Sequence, residues 1–328
     1  MWQQKLVKHW YFVLLAAFYT CWLIYITMSN NWGLWQDYWA MPATMTLGSF
    51  IAGSTPSGGA AVAFPVFTKL LNIPSEHAKI FGLMIQSVGM TSAALYIFYR
   101  KINILKPVVV YASVGGFVGS FVAIKWIHIP SDMAKILFSS MVFLFACVLW
   151  FCYWRRPNTQ PQLPYTQHTQ MAGIFIFAGF IGGIIAETTG SGVDILVFIV
   201  LTLSYRIKEK ISIPTTVVCM AINSLWGVVM HNTYVNDTHI MYDPWLISAP
   251  IVAIGAPLGA YVLTKLCRTK VTCLVTVLIA IDVISTFALI QLNQQLISAL
   301  AINLLASSAL FYWLVVRTNK FQLGEITR

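Results

Sequence analysis

Long apolar runs constrain the fold of this chain more than any other feature of its sequence. A helix rises about 1.5 Å per residue, so about 20 apolar residues cross the hydrocarbon of a bilayer. Eight runs have that length, near residues 10–28, 79–99, 104–127, 132–154, 209–231, 244–265, 270–291 and 295–317. Only 9% of the residues are charged, whereas a soluble domain carries about 25%. The sequence therefore predicts an all-α polytopic membrane protein.

Two further apolar regions, 41–72 and 171–204, do not fit as straight helices, because each would extend about 48 Å. Glycines interrupt both regions, at Thr55-Pro56-Ser57-Gly58-Gly59 and at Thr188-Thr189-Gly190-Ser191-Gly192. The interruptions divide each region into two legs of about fifteen residues, which favours a re-entrant hairpin over a single crossing. Counting the charges in the loops does not separate these two topologies.

The two halves of the chain share this pattern, which predicts an internal repeat. Alignment of Gly59 with Gly192 also pairs Thr55 with Thr188. We expect two inverted repeats, each with a re-entrant hairpin and three transmembrane helices. The expected division is an N-terminal helix and outer loop at 1–40, a first repeat at 41–156, a linker at 157–170, a second repeat at 171–292, and a C-terminal helix and tail at 293–328.

The net charge of +10 reflects Lys and Arg in short loops rather than a basic surface. Short loops rich in Lys and Arg face the cytoplasm in membrane proteins, and loops 29–40 and 232–243 contain neither residue. We therefore expect a lipid bilayer around the chain, both termini in the cytoplasm, and no nucleic-acid partner.

Three segments of the first half form a recognisable series: the glycine-rich break Gly53–Gly59, the apolar leg Phe64-Pro65-Val66-Phe67, and the turn Asn72–Ala78. This series resembles the TauE/SafE (TSUP) family of sulfite and sulfonate exporters. The second half, from Gly179 to Gly192 and the leg after it, looks like the second copy of the family's pattern. The resemblance implies a bacterial inner-membrane transporter of small sulfur-containing or organic anions, without nucleotide hydrolysis or another cofactor.

Both breaks also supply groups that bind anions. A helix that begins after a break directs unpaired N–H groups and the positive end of its dipole towards the membrane centre. Neighbouring hydroxyl and amide groups add donors. The predicted substrate-binding residues are Thr55, Ser57, Gly58, Gly59, Gln86, Thr188, Thr189, Gly190, Ser191, Gly192 and Asn223. The alternative is structural, with small residues that allow close helix packing and amides that bond neighbouring helices.

Three acidic residues in apolar segments, Glu187, Asp194 and Asp282, are candidates for proton coupling. An ionisable residue inside a membrane is costly and is therefore a functional candidate. Burial penalises the charged carboxylate, which favours proton exchange, and a protonated carboxyl group does not repel an anion. Glu187 is the strongest candidate. The alternatives are that Glu187 caps a half-helix or bonds Thr188, and that Asp282 bonds a neighbouring helix.

The remaining polar and glycine patterns have structural interpretations. Histidines such as His231 and His239 lie near predicted span ends, where interfacial positions are expected. The pairs Gly115 with Gly119 and Gly255 with Gly259 have the small-xxx-small spacing, which predicts helix packing within each half. The sequence contains no pair of ligands with metal-site spacing and no recognisable catalytic motif.

These observations predict a secondary transporter, not an enzyme, that moves sulfite or sulfonates such as sulfoacetate by proton-coupled alternating access. Two alternatives stay open. One is an uncoupled anion channel or uniporter, which dependence of the flux on an ion gradient would distinguish. The other is an intramembrane enzyme or a protein that handles lipid headgroups.

Overall fold

The computed structural model describes residues 9–56, 58–127, 129–155 and 168–265, together with parts of 269–312. The helices that organise these ranges are α1 (Trp10–Met28), α2 (Ala40–Ser54), α3 (Ala60–Pro65), α4 (Ser75–Tyr99), α5 (Lys106–Trp126), α6 (Ser131–Arg155), α7 (His168–Thr189), α8 (Val193–Ile199), α9 (Glu209–Met230) and α10 (Tyr242–Lys265). π-helical turns continue α3 over Val66–Leu70, α8 over Val200–Ser204 and α9 over His231–Val235. No strand occurs among the described residues.

The outer surfaces of the helices are apolar. Six of the described helices are long and apolar enough to cross a membrane. On α5, for example, Val110, Val114 and Val118 form an exposed row, since residues four apart lie on one helix face. Such rows are unfavourable in water and suited to lipid. The chain is therefore a polytopic membrane protein, as the sequence predicts.

The long helices α4 and α9, which come after the two broken regions, form the centre of the molecule. α4 and α9 pack against each other. In the most apolar 18-residue stretch of each helix, 78% and 67% of the residues are buried. α1 lies at the periphery, and only 11% of its most apolar stretch is buried. Trp22 Nε1 on α1 donates to the Leu246 carbonyl oxygen of α10 at 2.8 Å, and Tyr19 Oη donates to the carbonyl oxygen of Pro250.

The glycine pairs pack between the halves, so the prediction that they pack within each half is wrong. α2 packs on α10, and α7 packs on α5. A Cβ atom on Gly259 of α10 would overlap the carbonyl oxygen of Phe50 on α2, and one on Gly119 of α5 would overlap that of Phe180 on α7. Small residues allow backbones to approach this closely, but their spacing does not specify the partner helix.

The chain breaks where the sequence predicts and turns back on itself at both places. Gly59 lies beside Gly48, because a Cβ atom on Gly59 would be 3.4 Å from the Gly48 carbonyl oxygen. In the second half, a Cβ atom on Gly182 would be 2.6 Å from Val193 Cα. Whether both legs of each region enter a membrane from the same side stays a prediction.

Only α2 has the expected length of about fifteen residues, because the second legs, 60–70 and 193–204, have 11 and 12 residues. α2 has 15 residues, whereas α7 has 22 residues and is long enough to cross a bilayer by itself. The prediction of about fifteen residues for the first leg of the second region is therefore wrong. The helix begins at His168, three polar residues before Met171, and continues to Thr189, so its length exceeds the apolar run that the sequence shows.

Candidate functional site

The first break is a turn that requires glycine. α2 ends at Ser54, and Thr55 has an extended backbone with φ −137° and ψ 154°. Gly58 has φ +63°, a left-handed conformation that costs other residues about 1–2 kcal/mol. α3 then begins at Ala60. The turn reverses the chain between two buried legs.

The second break follows the same plan. α7 ends at Thr189, Gly190 has φ +82°, and α8 begins at Val193. Thr189 Oγ1 donates to the Ser191 carbonyl oxygen at 2.8 Å and so closes the turn. Each break therefore contains one glycine in the left-handed region.

The two breaks meet in the interior of the protein. A Cβ atom on Gly58 would lie 2.9 Å from Asp194 Oδ2 and 3.2 Å from Ser191 Oγ. Thr55, Thr189, Ser191 and Asp194 are each at most 1% exposed. Predicted site residues from both halves thus surround one small region that is closed to solvent in this conformation.

Gln86 on α4 connects the first half to the second break. Its Nε2 donates to the carbonyl oxygen of Gly190 at 2.6 Å, and Gly82, one turn earlier, also lies against Gly190, since a Cβ atom there would be 3.6 Å from Gly190 Cα. The side chain is 2% exposed, and its Oε1 is buried without a hydrogen-bond partner. An unpaired buried oxygen costs free energy, and here it lies on a side chain bound to the break.

Asp194 occupies the N-terminal end of α8. Its carboxylate accepts hydrogen bonds from Ser191 Oγ at 2.9 Å and from the Ile195 N–H at 3.0 Å. It also lies against the N–H groups of Gly192 and of its own residue. The chain's own carboxylate thus fills the place where an incoming anion was expected, because free N–H groups at a helix start favour negative charge.

The hydroxyl groups at the breaks donate to the chain itself in this conformation. Thr55 Oγ1 donates to Ile51 at 3.0 Å, and Thr188 Oγ1 donates to Ile185 at 2.8 Å, in both cases to the carbonyl oxygen. Such bonds to the preceding turn are common for threonine in helices. A substrate that used these donors would first have to displace the carbonyl groups.

Asn223 does not mirror Gln86. Its Nδ2 donates to the Cys219 carbonyl oxygen of its own helix at 2.8 Å. Its buried Oδ1 has no hydrogen-bond partner and lies against Gly116 of α5. The two amides therefore do not form the symmetric pair that the repeat suggested.

Glu187 is buried and paired with a histidine. Its Oε2 lies 2.8 Å from His231 Nε2, and His231 Nδ1 lies 2.9 Å from Asp237 Oδ1. Glu187 and His231 are each 3% exposed, so the His231 side chain is buried in the protein and is not an exposed polar tip. The sequence offered one signal that could have identified the pair, namely a histidine at a span end followed by Asp237 in a loop without Lys or Arg.

Comparison with protein-family models decides the family. The model described as Sulfite exporter TauE/SafE matches residues 41–286, which is most of the chain and includes both breaks. The chain belongs to the TauE/SafE sulfite exporter family. No match was found to a curated protein or to a solved structure.

TauE/SafE membership gives the protein a general function. The family implies a membrane transporter for a small anion such as sulfite. The matched region of this TauE/SafE protein contains every predicted site residue, although Ser57 and Asp282 lie outside the residues that the structure describes. The contacts between the breaks therefore belong to the part of the chain that defines the family.

Proposed function

We propose that this protein is a secondary transporter that moves sulfite, or small organosulfonates such as sulfoacetate, across the bacterial inner membrane. The observation that carries the proposal is the contact of Gly58 with Ser191 and Asp194, which joins the two breaks. Broken helices that meet between two halves of a transporter form substrate sites in other folds. The substrate would bind where the starts of α3 and α8 approach each other.

The position of Asp194 supports proton coupling. An anion that enters beside an ionised carboxylate at about 4 Å is repelled by about 4 kcal/mol at an effective dielectric constant of about 20. Protonation of Asp194 removes this repulsion, so the binding of an anion and the binding of a proton favour each other. A proton that is bound with the anion in this way would cross the membrane with it.

Alternating access between the two halves is supported by their exchanged packing. The first half supplies α2 to pack on α10 of the second half, and the second half supplies α7 to pack on α5 of the first. The glycines in these two interfaces leave the backbones in direct contact. Small residues at such interfaces let the backbones of two helices approach closely, and a rocking motion of the halves would use these interfaces. The inverted orientation of the halves and cytoplasmic termini are part of this proposal.

The test is flux in proteoliposomes that contain the purified protein. We expect radiolabelled sulfite or sulfoacetate to cross faster than in empty liposomes, and the rate to rise when the anion and protons are both more concentrated on the same side. Sulfate and acetate serve as competitor controls for the anion class. Flux equal to that of empty liposomes for every sulfur anion would refute the proposal, and flux without any response to the pH gradient would favour an uncoupled uniporter.

A further inference from the structure

Three titratable side chains form a continuous hydrogen-bonded series that leads away from the second break. Glu187 Oε2 lies 2.8 Å from His231 Nε2, and His231 Nδ1 lies 2.9 Å and 3.1 Å from the two carboxylate oxygens of Asp237. The side chains of Glu187 and His231 are 3% and 4% exposed, whereas that of Asp237 is 20% exposed. The series therefore connects a buried carboxyl group to one that water reaches.

The local backbone is built to hold this arrangement. His231 begins the π-helical turn His231–Val235, and Asn236 has a left-handed backbone with φ +61° that reverses the chain. The reversal places the Asp237 carboxylate beside His231 Nδ1. Thr238 Oγ1 donates to Asn232 Oδ1 at 3.0 Å and so ties the loop to the end of the helix. π-turns inside helices frequently occur at functional sites.

Among the described residues, no lysine or arginine pairs with these two carboxyl groups, and His231 is their shared basic partner. The charged groups that act on His231 are Glu187 of α7 and Asp237 of its own loop. On the neighbouring elements, Lys125 of α5 is exposed and lies 5.0 Å from the Trp126 ring, and His239 and Asp243 are exposed further along the loop. Asp194 of α8 is near Cys219, about 18 Å along α9 from His231.

Stability alone does not account for this series. A buried pair of charges recovers its desolvation cost only with favourable geometry, and apolar replacements are often as stable. An imidazole with a carboxyl group on each nitrogen is, however, the arrangement that passes a proton from one side to the other. Intramembrane series of Asp, Glu and His serve as proton relays in pumps and transporters.

We propose that Glu187, His231 and Asp237 form a proton path between the loop 232–243 and the second break. The inference rests on the proposed function, in which a proton accompanies the anion. A proton leaves the Asp237 carboxyl group and forms an N–H bond at His231 Nδ1, and the imidazolium then releases its Nε2 proton to Glu187 Oε2. One proton has moved from Asp237 to Glu187, and the neutral imidazole is left with its proton on Nδ1 instead of Nε2.

The direct test follows the protonation of Glu187 without any substrate. After a rapid change of pH, infrared spectroscopy of the purified protein records the carboxylic C=O band that Glu187→Gln removes. We expect the band to respond about a hundredfold more slowly in His231→Gln and in Asp237→Asn, because positioned groups accelerate proton transfer by about that factor or more. His239→Gln and Asp243→Asn are the matched controls, since both residues are exposed on the same loop, and they should respond as the wild type does.

The outcomes separate this path from the transport proposal. An unchanged response in His231→Gln and Asp237→Asn, or no Glu187 band at any pH, would overturn the path whatever the protein transports. Asp237→Asn provides the test if His231→Gln does not fold, because Asp237 is the most exposed member. A slowed response combined with no sulfur-anion flux would instead support the path and refute the proposed substrate.

Discussion

The two breaks share a backbone plan but differ in charge. Each contains one glycine with a left-handed backbone, Gly58 in the first and Gly190 in the second. The first break has no ionisable side chain between residues 49 and 68, whereas Glu187 and Asp194 stand on either side of Gly190 in the second. The position aligned with Asp194 is Ala61 in the first half. The two halves thus share a backbone turn with a left-handed glycine, whereas carboxyl groups flank this turn only in the second half.

Under the proposed function, this difference implies separate tasks for the two halves. The start of α8 is already occupied by the Asp194 carboxylate, so a substrate anion meets a competing negative charge there. The start of α3 has no such competitor within its own half, and Gly58 brings it against the same carboxylate. We infer that the first break offers the anion its amide groups and that the second break controls when the anion is accepted.

The largest expected effect comes from removing the contact between the breaks. In Gly58→Ala, the new Cβ atom would lie 2.9 Å from Asp194 Oδ2, and the left-handed backbone alone costs about 1–2 kcal/mol. We expect sulfur-anion flux in proteoliposomes to fall at least about tenfold, the factor that about 1.4 kcal/mol represents, and the thermal unfolding midpoint to decrease.

Gly59→Ala is the matched control for this prediction. Gly59 has φ −69°, and its nearest neighbour to a new Cβ atom is the Gly48 carbonyl oxygen at 3.4 Å. Its flux should remain close to that of the wild type. Equal losses in the two variants would mean that the site tolerates no added volume anywhere and that the contact between the breaks has no special role.

The second prediction concerns the charge that distinguishes the halves. Asp194→Asn removes the carboxylate that competes with the anion, and a unit charge at about 4 Å is worth about 4 kcal/mol at an effective dielectric constant of about 20. Lost hydrogen bonds offset part of this gain, at about 1.5–3 kcal/mol for bonds to a charged group. We expect the Kd of a sulfonate, measured by calorimetry, to decrease about tenfold.

The pH dependence of binding should change in the same variant. In the wild type, binding of a sulfonate whose own charge is constant should strengthen as pH falls, because protonation of Asp194 removes the repulsion. In Asp194→Asn this dependence should weaken. Asp132→Asn is the control, since Asp132 is 59% exposed and pairs only with its neighbour Lys135 on α6. Weaker binding in Asp194→Asn would indicate that this side chain holds the substrate rather than excluding it.

The sequence identified the breaks because glycine and proline act locally. Gly58 and Gly190 stand where a left-handed backbone is required, and no tertiary information is needed to expect a turn there. The apolar runs likewise located the long helices, and the observed α1 has the expected bounds, Trp10–Met28. Features that depend on local backbone chemistry or on composition could be predicted.

The contacts between distant segments could not be predicted in this way. Glu187 and His231 are separated by 44 positions, and a π-turn, which changes the register of the helix, places the ring between two carboxyl groups. The partners of the glycine pairs were also missed, because a small-xxx-small pattern marks a surface that permits close approach without naming the helix that approaches.

The smallest expected effect tests the asymmetry of the two amides. Gln86 bonds the second break across the halves, whereas Asn223 bonds only its own helix. Interhelical bonds of this kind contribute about 0.6 kcal/mol on average in membranes. We expect Gln86→Met to lower the thermal unfolding midpoint in detergent measurably and Asn223→Leu, of similar shape, to change it little. The Oδ1 atom of Asn223 faces Gly116 without a hydrogen-bond partner. A larger decrease in Asn223→Leu would mean that this atom stabilises the fold through packing that an apolar side chain cannot reproduce. The functional difference between the halves would then extend less far from the breaks than Gln86 suggests.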